Sequence, residues 1–247
     1  MRVEICVDSA EGAFAAEQGG ADRVELCDNL LEGGTTPSAG AIKVARHELK
    51  IKLHVIIRPR GGDFRYSPRE FEVMREDIRA AKELGADGVV VGCLTPEGNI
   101  DLDRTRELIA LARPLSVTYH RAFDMCRDPR AALEELISLG VDRLLTSGQE
   151  ATCIEGLELL AALNQQAAGR IIVMPGGGLT ARNVRKVVAA TGATEVHLSA
   201  RSGVESRMAY RNTRVFMGGA LRPPEFSWKT TDEAAVRNVV AAVQEIG

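Results

Sequence analysis

Aromatic residues are scarce in this 247-residue chain, at 4% with a single Trp and three Tyr, so a core must be assembled from Val, Ile, Leu and Ala. No CxxC pair occurs among the five cysteines, at positions 6, 27, 93, 126 and 153. Their odd number argues against a disulfide framework and leaves free thiols, ligands or core residues. There is no Lys/Arg block and the formal net charge is −3, so no nucleic-acid partner is expected. No apolar run approaches the roughly 18 residues that cross a bilayer. The opening MRVEICVDSA has neither the basic flank nor the apolar stretch of a signal peptide. No membrane partner and a cytoplasmic location are therefore expected. No GxSxG elbow supports a serine hydrolase. No lysine ends a strand, since Lys52 opens one, which disfavours a Schiff-base aldolase.

What is present is alternation. Short β-branched runs at Val3–Val7, Arg23–Cys27, Lys52–Ile57, Gly88–Gly92, Ser116–His120, Arg143–Thr146, Ile171–Met174 and Glu195–Leu198 read as strands. Helical stretches lie between them: Ala10–Gln18, Ser38–His47, Pro68–Leu84, Asp101–Ala112, Pro129–Leu139, Thr152–Gln166 and Ala181–Ala190, with Thr231–Ile246 closing the chain. Eight strands in a chain of this length predict an α/β fold, a single (β/α)₈ TIM-barrel domain over residues 1–247, with a long loop at about 199–230 before the last helix. An open doubly wound sheet is the alternative, because alternation alone does not show closure. Gly-Ala-Asp-like turns recur at Gly20–Asp22, Gly85–Asp87, Gly140–Asp142 and Gly192–Thr194, which suits left-handed helix caps along one rim. The loops after the strands are longer and rich in Arg, Asp, Gly and Thr, and that is the face where barrels keep their chemistry.

Every second strand residue faces the interior. Glu4 with Cys6, Glu25 with Cys27, His54 with Arg58, Thr118 with His120, and Glu195 with His197 and Ser199 then share the inner surface. Buried charges there need partners, which Glu4 or Glu25 facing Arg58 or His54 would supply. Glu25, His54, His120 and Asp124 are candidate acid/base residues, with His120 and Asp124 either a proton-transfer pair or a loop anchor. Arg58-Pro59-Arg60-Gly61-Gly62-Asp63 reads as a cationic fork for an anion, or equally as a salt-bridged loop in which Arg60 pairs with Asp63 or Asp124. Gly176, Gly177 and Gly178 ahead of a helix, with Ser199 after the eighth strand, fit the usual oxyanion position of barrels. For metal, Cys6 and Cys27 on neighbouring strands are the natural soft pair, selecting Cu(I) or zinc; their plain alternative is burial as small hydrophobes.

The motifs GADRVELC followed by EGGTTPS, then IIRPRGGDF, HRAFDM, LTSG, MPGGG and HLSARS with Tyr210-Arg211-Asn212, closely resemble those of the copper homeostasis protein CutC family from about Val3 to Asn212. The resemblance implies a cytoplasmic (β/α)₈ barrel, a homo-oligomer (dimer or tetramer), and a copper ion, Cu(I), held by Cys6 and Cys27. It leaves Glu25, His54, Arg58, Arg60, Asp63, His120, Asp124 and His197 as a polar mouth that a two-thiol site does not require. An enzyme acting on a small anionic, perhaps phosphorylated, molecule is the competing expectation. Leu30, Leu31 and the segment from Ser199 to Trp228 are candidates for a subunit contact.

Overall fold

A computed structural model describes residues 1–218 and 223–245. Eight parallel strands run β1 (Arg2–Val7), β2 (Arg23–Leu26), β3 (Lys52–Ile56), β4 (Gly88–Val91), β5 (Ser116–Tyr119), β6 (Arg143–Thr146), β7 (Ile172–Pro175) and β8 (Glu195–Leu198). They are ordered β7-β6-β5-β4-β3-β2-β1-β8, and a parallel bridge between Gly176 and His197 joins the end strands. That bridge decides for a barrel over an open sheet. Around it lie α1 (Ala10–Gln18), α2 (Ala39–Glu48), α3 (Pro68–Glu83), α4 (Leu102–Ala112), α5 (Pro129–Leu139), α6 (Leu157–Ala167), α7 (Val184–Thr191) and α8 (Glu233–Gln244).

The recurring turns explain how the rim is built. Gly20, Gly85, Gly140 and Gly192 all adopt φ between 69° and 90°, the left-handed region open to glycine. In three of the turns the following Asp reaches across: Asp22, Asp87 and Asp142 accept N–H bonds from Val3, Leu53 and Val117 at 2.8–2.9 Å. Each carboxylate thus ties the start of one strand to the start of the next. Ser9, Ser38, Ser67, Asp101, Asp128 and Asp232 cap the helices that follow with side-chain acceptors.

Three expectations shift. Helix α6 begins at Leu157 rather than Thr152, because Thr152 and Glu155 bond reciprocally in a turn and Gly156 packs backbone to backbone on Ser147 and Gly148. Helix α7 begins at Val184, since Asn183 spends its side chain on Thr180 N–H and Gly178 O. The segment expected as a long loop contains an antiparallel ribbon, β9 (Arg201–Glu205) with β10 (Ser227–Thr231). Its residues are nearly all half-buried or exposed and mostly polar, so they lack the apolar alternation that marks a core strand. Residues 246 and 247, the end of the expected last helix and domain, lie outside the described residues.

The alternation sorts the interior into two hydrophobic bodies. Ile5, Val24, Leu26, Val55, Ile57, Val196 and Leu198 join the shell between barrel and helices. Cys6, Cys27, Ile56 and Val90, with Leu30 against them, form a separate cluster inside the barrel. Below and around that small cluster the interior is charged.

Candidate functional site

At the barrel floor, Glu195 accepts from Arg23 and Arg143, each at 2.6 Å, and Arg23 also binds Glu4. Glu4 in turn meets His197 Nδ1 at 2.7 Å. Two guanidiniums face two carboxylates, so the charges balance in a region closed to water. Burial would push the Glu4 carboxyl up, but Arg23 and His197 outweigh it and hold it well below the ordinary range. Glu195 is likewise held down against burial by Arg143 and Arg23. Glu4 does face His54, as expected, but only at 3.8 Å, and its close partners are Arg23 and His197.

Above the floor, Cys6 Sγ and Cys27 Sγ lie 3.6 Å apart, and with a Glu25 carboxylate oxygen the three ligand atoms fall within 4.8 Å of one another. The register explains it: β1 and β2 pair Cys6 with Glu25, which sets Cys27 one step further toward the mouth. The hydrogen bond with Cys27 brings the Cys6 thiol down to about 5 against burial, with help from His197. Cys27 is pushed well up by its contact with Cys6 and by burial. Burial also raises Glu25 well above the carboxylate range, reinforced by the Cys6 thiolate and opposed by His197. His197 Nε2 sits 3.7 Å from Glu25. Burial would lower the His197 pKa, but bonds to Cys6 and Glu4 and the charges of Glu25 and Glu4 raise it well above the histidine range.

The other two interior imidazoles are neutral. His54 is brought down to about 4, chiefly by burial and against the pull of Glu4. His120 is brought to about 3 by burial and by Arg58. Both rings occupy space that β4 and its end leave open. A Cβ on Gly88 would stand 2.5 Å from His54 Nε2, and one on Gly92 2.5 Å from His120 Nδ1.

A cavity of about 290 Å³ opens above the thiols, lined by Cys6, Glu25, Arg58, His120, Asp124 and His197 among others. Of the sequence-predicted residues, His54 and Cys27 are buried and do not line it. Asp124 is an anchor: its carboxylate accepts from Arg121 Nε, Thr146 Oγ1, and the backbone N–H groups of Ser147 and Gln149, at 2.5–3.2 Å. His120 Nδ1 accepts from Ala122 N–H at 3.1 Å, so of the two readings offered for His120 and Asp124 the bonds follow the loop anchor rather than the proton-transfer pair. Arg58 donates to the carbonyls of Glu32, Gly34 and Gly62, clamping two loops together. Arg60 is consumed by Glu70, Asp63 and the Arg65 carbonyl, the salt-bridged alternative of its loop, with Asp63 and not Asp124 as partner. Arg58 lines the cavity; Arg60, Gly176, Gly177 and Gly178 do not, and Ser199 lines a different one with Thr180, Arg201 and Lys229. These residues therefore do not share one cavity, and Arg58 and Arg60 spend most of their donors on their own loops.

The chain matches the model of the CutC family over residues 1–202. It belongs to the CutC family. Copper homeostasis protein cutC homologs from Mus musculus and Homo sapiens are each 54% identical to it over 244 residues, 99% of this chain and 90% and 89% of those proteins. A family protein CutC of Bacteroides thetaiotaomicron is 52% identical over 98% of this chain and 97% of its own length. Among solved structures, a CutC protein from Streptococcus agalactiae superposes with a TM-score of 0.77 at 37% identity, covering 81% of this chain and 98% of that one. A thiamine phosphate pyrophosphorylase from Pyrococcus furiosus, at 17% identity and TM-score 0.61 over 99% of this chain and 96% of that one, shares the fold alone. CutC membership thus links the chain to copper homeostasis, and among the described residues the interior Cys6–Glu25–Cys27 group of this CutC barrel offers three donor atoms that could hold a metal ion.

Arg23 and Arg143 escaped the sequence reading although the same alternation that points Glu25 and Glu195 inward carries them too. The signal was there, but arginine opening a strand reads as solvent-facing. Arg121 and Ser147, which hold Asp124, could be found only by knowing which loops meet.

Proposed function

We propose that the protein binds Cu(I) through Cys6 and Cys27 in the cytoplasm. The 3.6 Å separation of the two sulfurs inside a closed barrel carries this reading. Metal–thiolate bonds of about 2.3 Å across that gap enclose a bent rather than linear arrangement and leave room for a third donor. Glu25 is in reach of that position. The donor set fits: thiolate ligands suit Cu(I), and the apolar Ile56 and Val90 around them limit water. Cys6 supplies a ready thiolate, while Cys27 must release its proton as the ion arrives. Among the described residues no helix is long and apolar enough to cross a membrane. Self-association as a dimer or tetramer belongs to the same proposal, supported by the exposed Leu31 and by Met208, Tyr210, Met217 and Trp228 on and around the ribbon.

The test is an anaerobic Cu(I) titration against a competing chelator, on the parent chain and on the Cys6/Cys27→Ser double variant. The reading expects tight binding by the parent and its loss in the variant. Equal affinity in both proteins would remove the thiols from the account.

A further inference from the structure

The metal reading uses Cys6, Cys27 and Glu25 and leaves His120 without a task, although the residue is only 4% exposed and its ring is held on several sides. Ala122 N–H donates to Nδ1, so Nδ1 carries the lone pair and the single ring proton sits on Nε2. The Phe64 ring lies 5.1 Å from the imidazole, and the missing side chain of Gly92 makes room for its other edge. Nε2–H has no hydrogen-bond partner among the described residues, and His120 lines the cavity. A buried donor left unmade costs about 1–3 kcal/mol, which a ligand acceptor can offset.

Arg58, on the same cavity wall, is also buried. Its guanidinium is clamped by three carbonyls and lies beside the Phe64 ring, yet among the described residues no carboxylate forms an ion pair with it. The Arg23, Arg143, Glu4 and Glu195 charges match one another and Arg121 is matched by Asp124, whereas Arg58 has no ion pair among the described residues and shares the cavity wall with Glu32, whose carbonyl it binds. An anion in the cavity would compensate it. The remaining walls include Ile56, Phe64 and Leu145, which suit a short hydrocarbon body, and about 290 Å³ admits only a small molecule.

We propose that the barrel-mouth cavity binds a small organic carboxylate, with His120 Nε2–H donating to one carboxylate oxygen in the field of Arg58. A phosphate fits the cavity less well. Phosphate sites gather several backbone N–H groups or a free guanidinium fork, and here Arg60, Gly176–Gly178 and Ser199 lie away from this cavity. The neutral state of His120 leaves Nε2 as the ring's one donor across ordinary pH.

The experiment uses the metal-free full chain, which separates it from the copper reading. Acetate, pyruvate, isobutyrate and, in a separate arm, inorganic phosphate are titrated calorimetrically into the parent and into His120→Phe and His120→Gln. Both variants lose the bond to Ala122, but only Gln restores an N–H near the position of Nε2, so their difference reports on that donor. We expect at least one carboxylate to bind the parent, about tenfold or greater weakening in His120→Phe, and affinity within about threefold of the parent in His120→Gln. Failure of all three carboxylates to bind, binding of phosphate alone, or equal losses in the two variants would each overturn the proposal. Should either variant fail to fold, the ¹⁵N resonance of His120 Nε2 in the parent decides: it shifts on saturation with the bound carboxylate, and an unmoved resonance overturns the proposal.

Discussion

The floor and the mouth of this barrel hold similar residues to opposite effect. At the floor, Arg23, Arg143, Glu4 and Glu195 use one another up. At the mouth, two thiols, a raised carboxyl and an imidazole donor stand close together with bonding capacity left over. Ionisable residues inside a barrel are therefore poor evidence of chemistry by themselves, and what separates structure from function is whether their valences are filled. Asp124 and Arg60 make the same point within the mouth, since both look reactive in sequence and both are saturated by their own loops.

The sharpest way to break the comparison is to unbalance the floor. Glu195→Gln leaves Arg23 and Arg143 facing each other without their shared carboxylate, and a loss of about 3–5 kcal/mol is expected in denaturant unfolding. Copper affinity of the folded fraction should change far less. A smaller effect, about 1–3 kcal/mol, is expected for Gly88→Ala and Gly92→Ala, because each methyl collides with a packed imidazole. The pair discriminates regions: Gly88→Ala displaces His54, which does not line the cavity, whereas Gly92→Ala displaces His120 and should also weaken carboxylate binding, as calorimetry on the two folded variants would show.

Acidity gives two further contrasts. At the mouth, Cu(I) must displace a proton from Cys27, whose thiol is raised, and a second from the raised Glu25 carboxyl where that group ligates, so the apparent affinity should climb by about tenfold or more per pH unit between pH 6 and 8 in chelator competition. A flat profile would mean that Cys27 is not a ligand. The remaining contrast concerns stability. His54 and His120 have folded pKa values of about 4 and about 3, below the unfolded histidine value of about 6.5. As pH falls below 6.5 the unfolded chain takes up protons that the folded one refuses, so these two residues lower stability progressively toward their folded pKa values. His197 acts in the opposite direction, because its raised pKa contributes stability below 6.5 that is lost as pH rises through the folded value. His120→Phe should remove one of the two acid liabilities and flatten the decline of the melting temperature between pH 6.5 and 4.

Much of the fold was legible because its signals are local. The Gly-Ala-Asp turns, the caps and the β-branched runs placed the eight strands within a residue or two of their observed bounds. The pairing of Cys6 with Cys27 was legible too, since alternation on adjacent parallel strands sends both inward. The sequence hid whatever depends on which distant loop arrives: that Arg58 would be spent on carbonyls from the loop after β2, that Arg121 and Ser147 would take Asp124, and that β9 and β10 would pair across solvent. The roles of Gly88 and Gly92 were invisible for a related reason, as a glycine's use there is to make room for a ring from a neighbouring strand, His54 of β3 or His120 at the end of β5.

The most direct test of the mouth as the working region is X-ray absorption on the Cu(I)-loaded parent chain. The account predicts a first shell containing two sulfur scatterers, reduced to none in the Cys6/Cys27→Ser variant. A first shell of nitrogen and oxygen alone in the parent would contradict it.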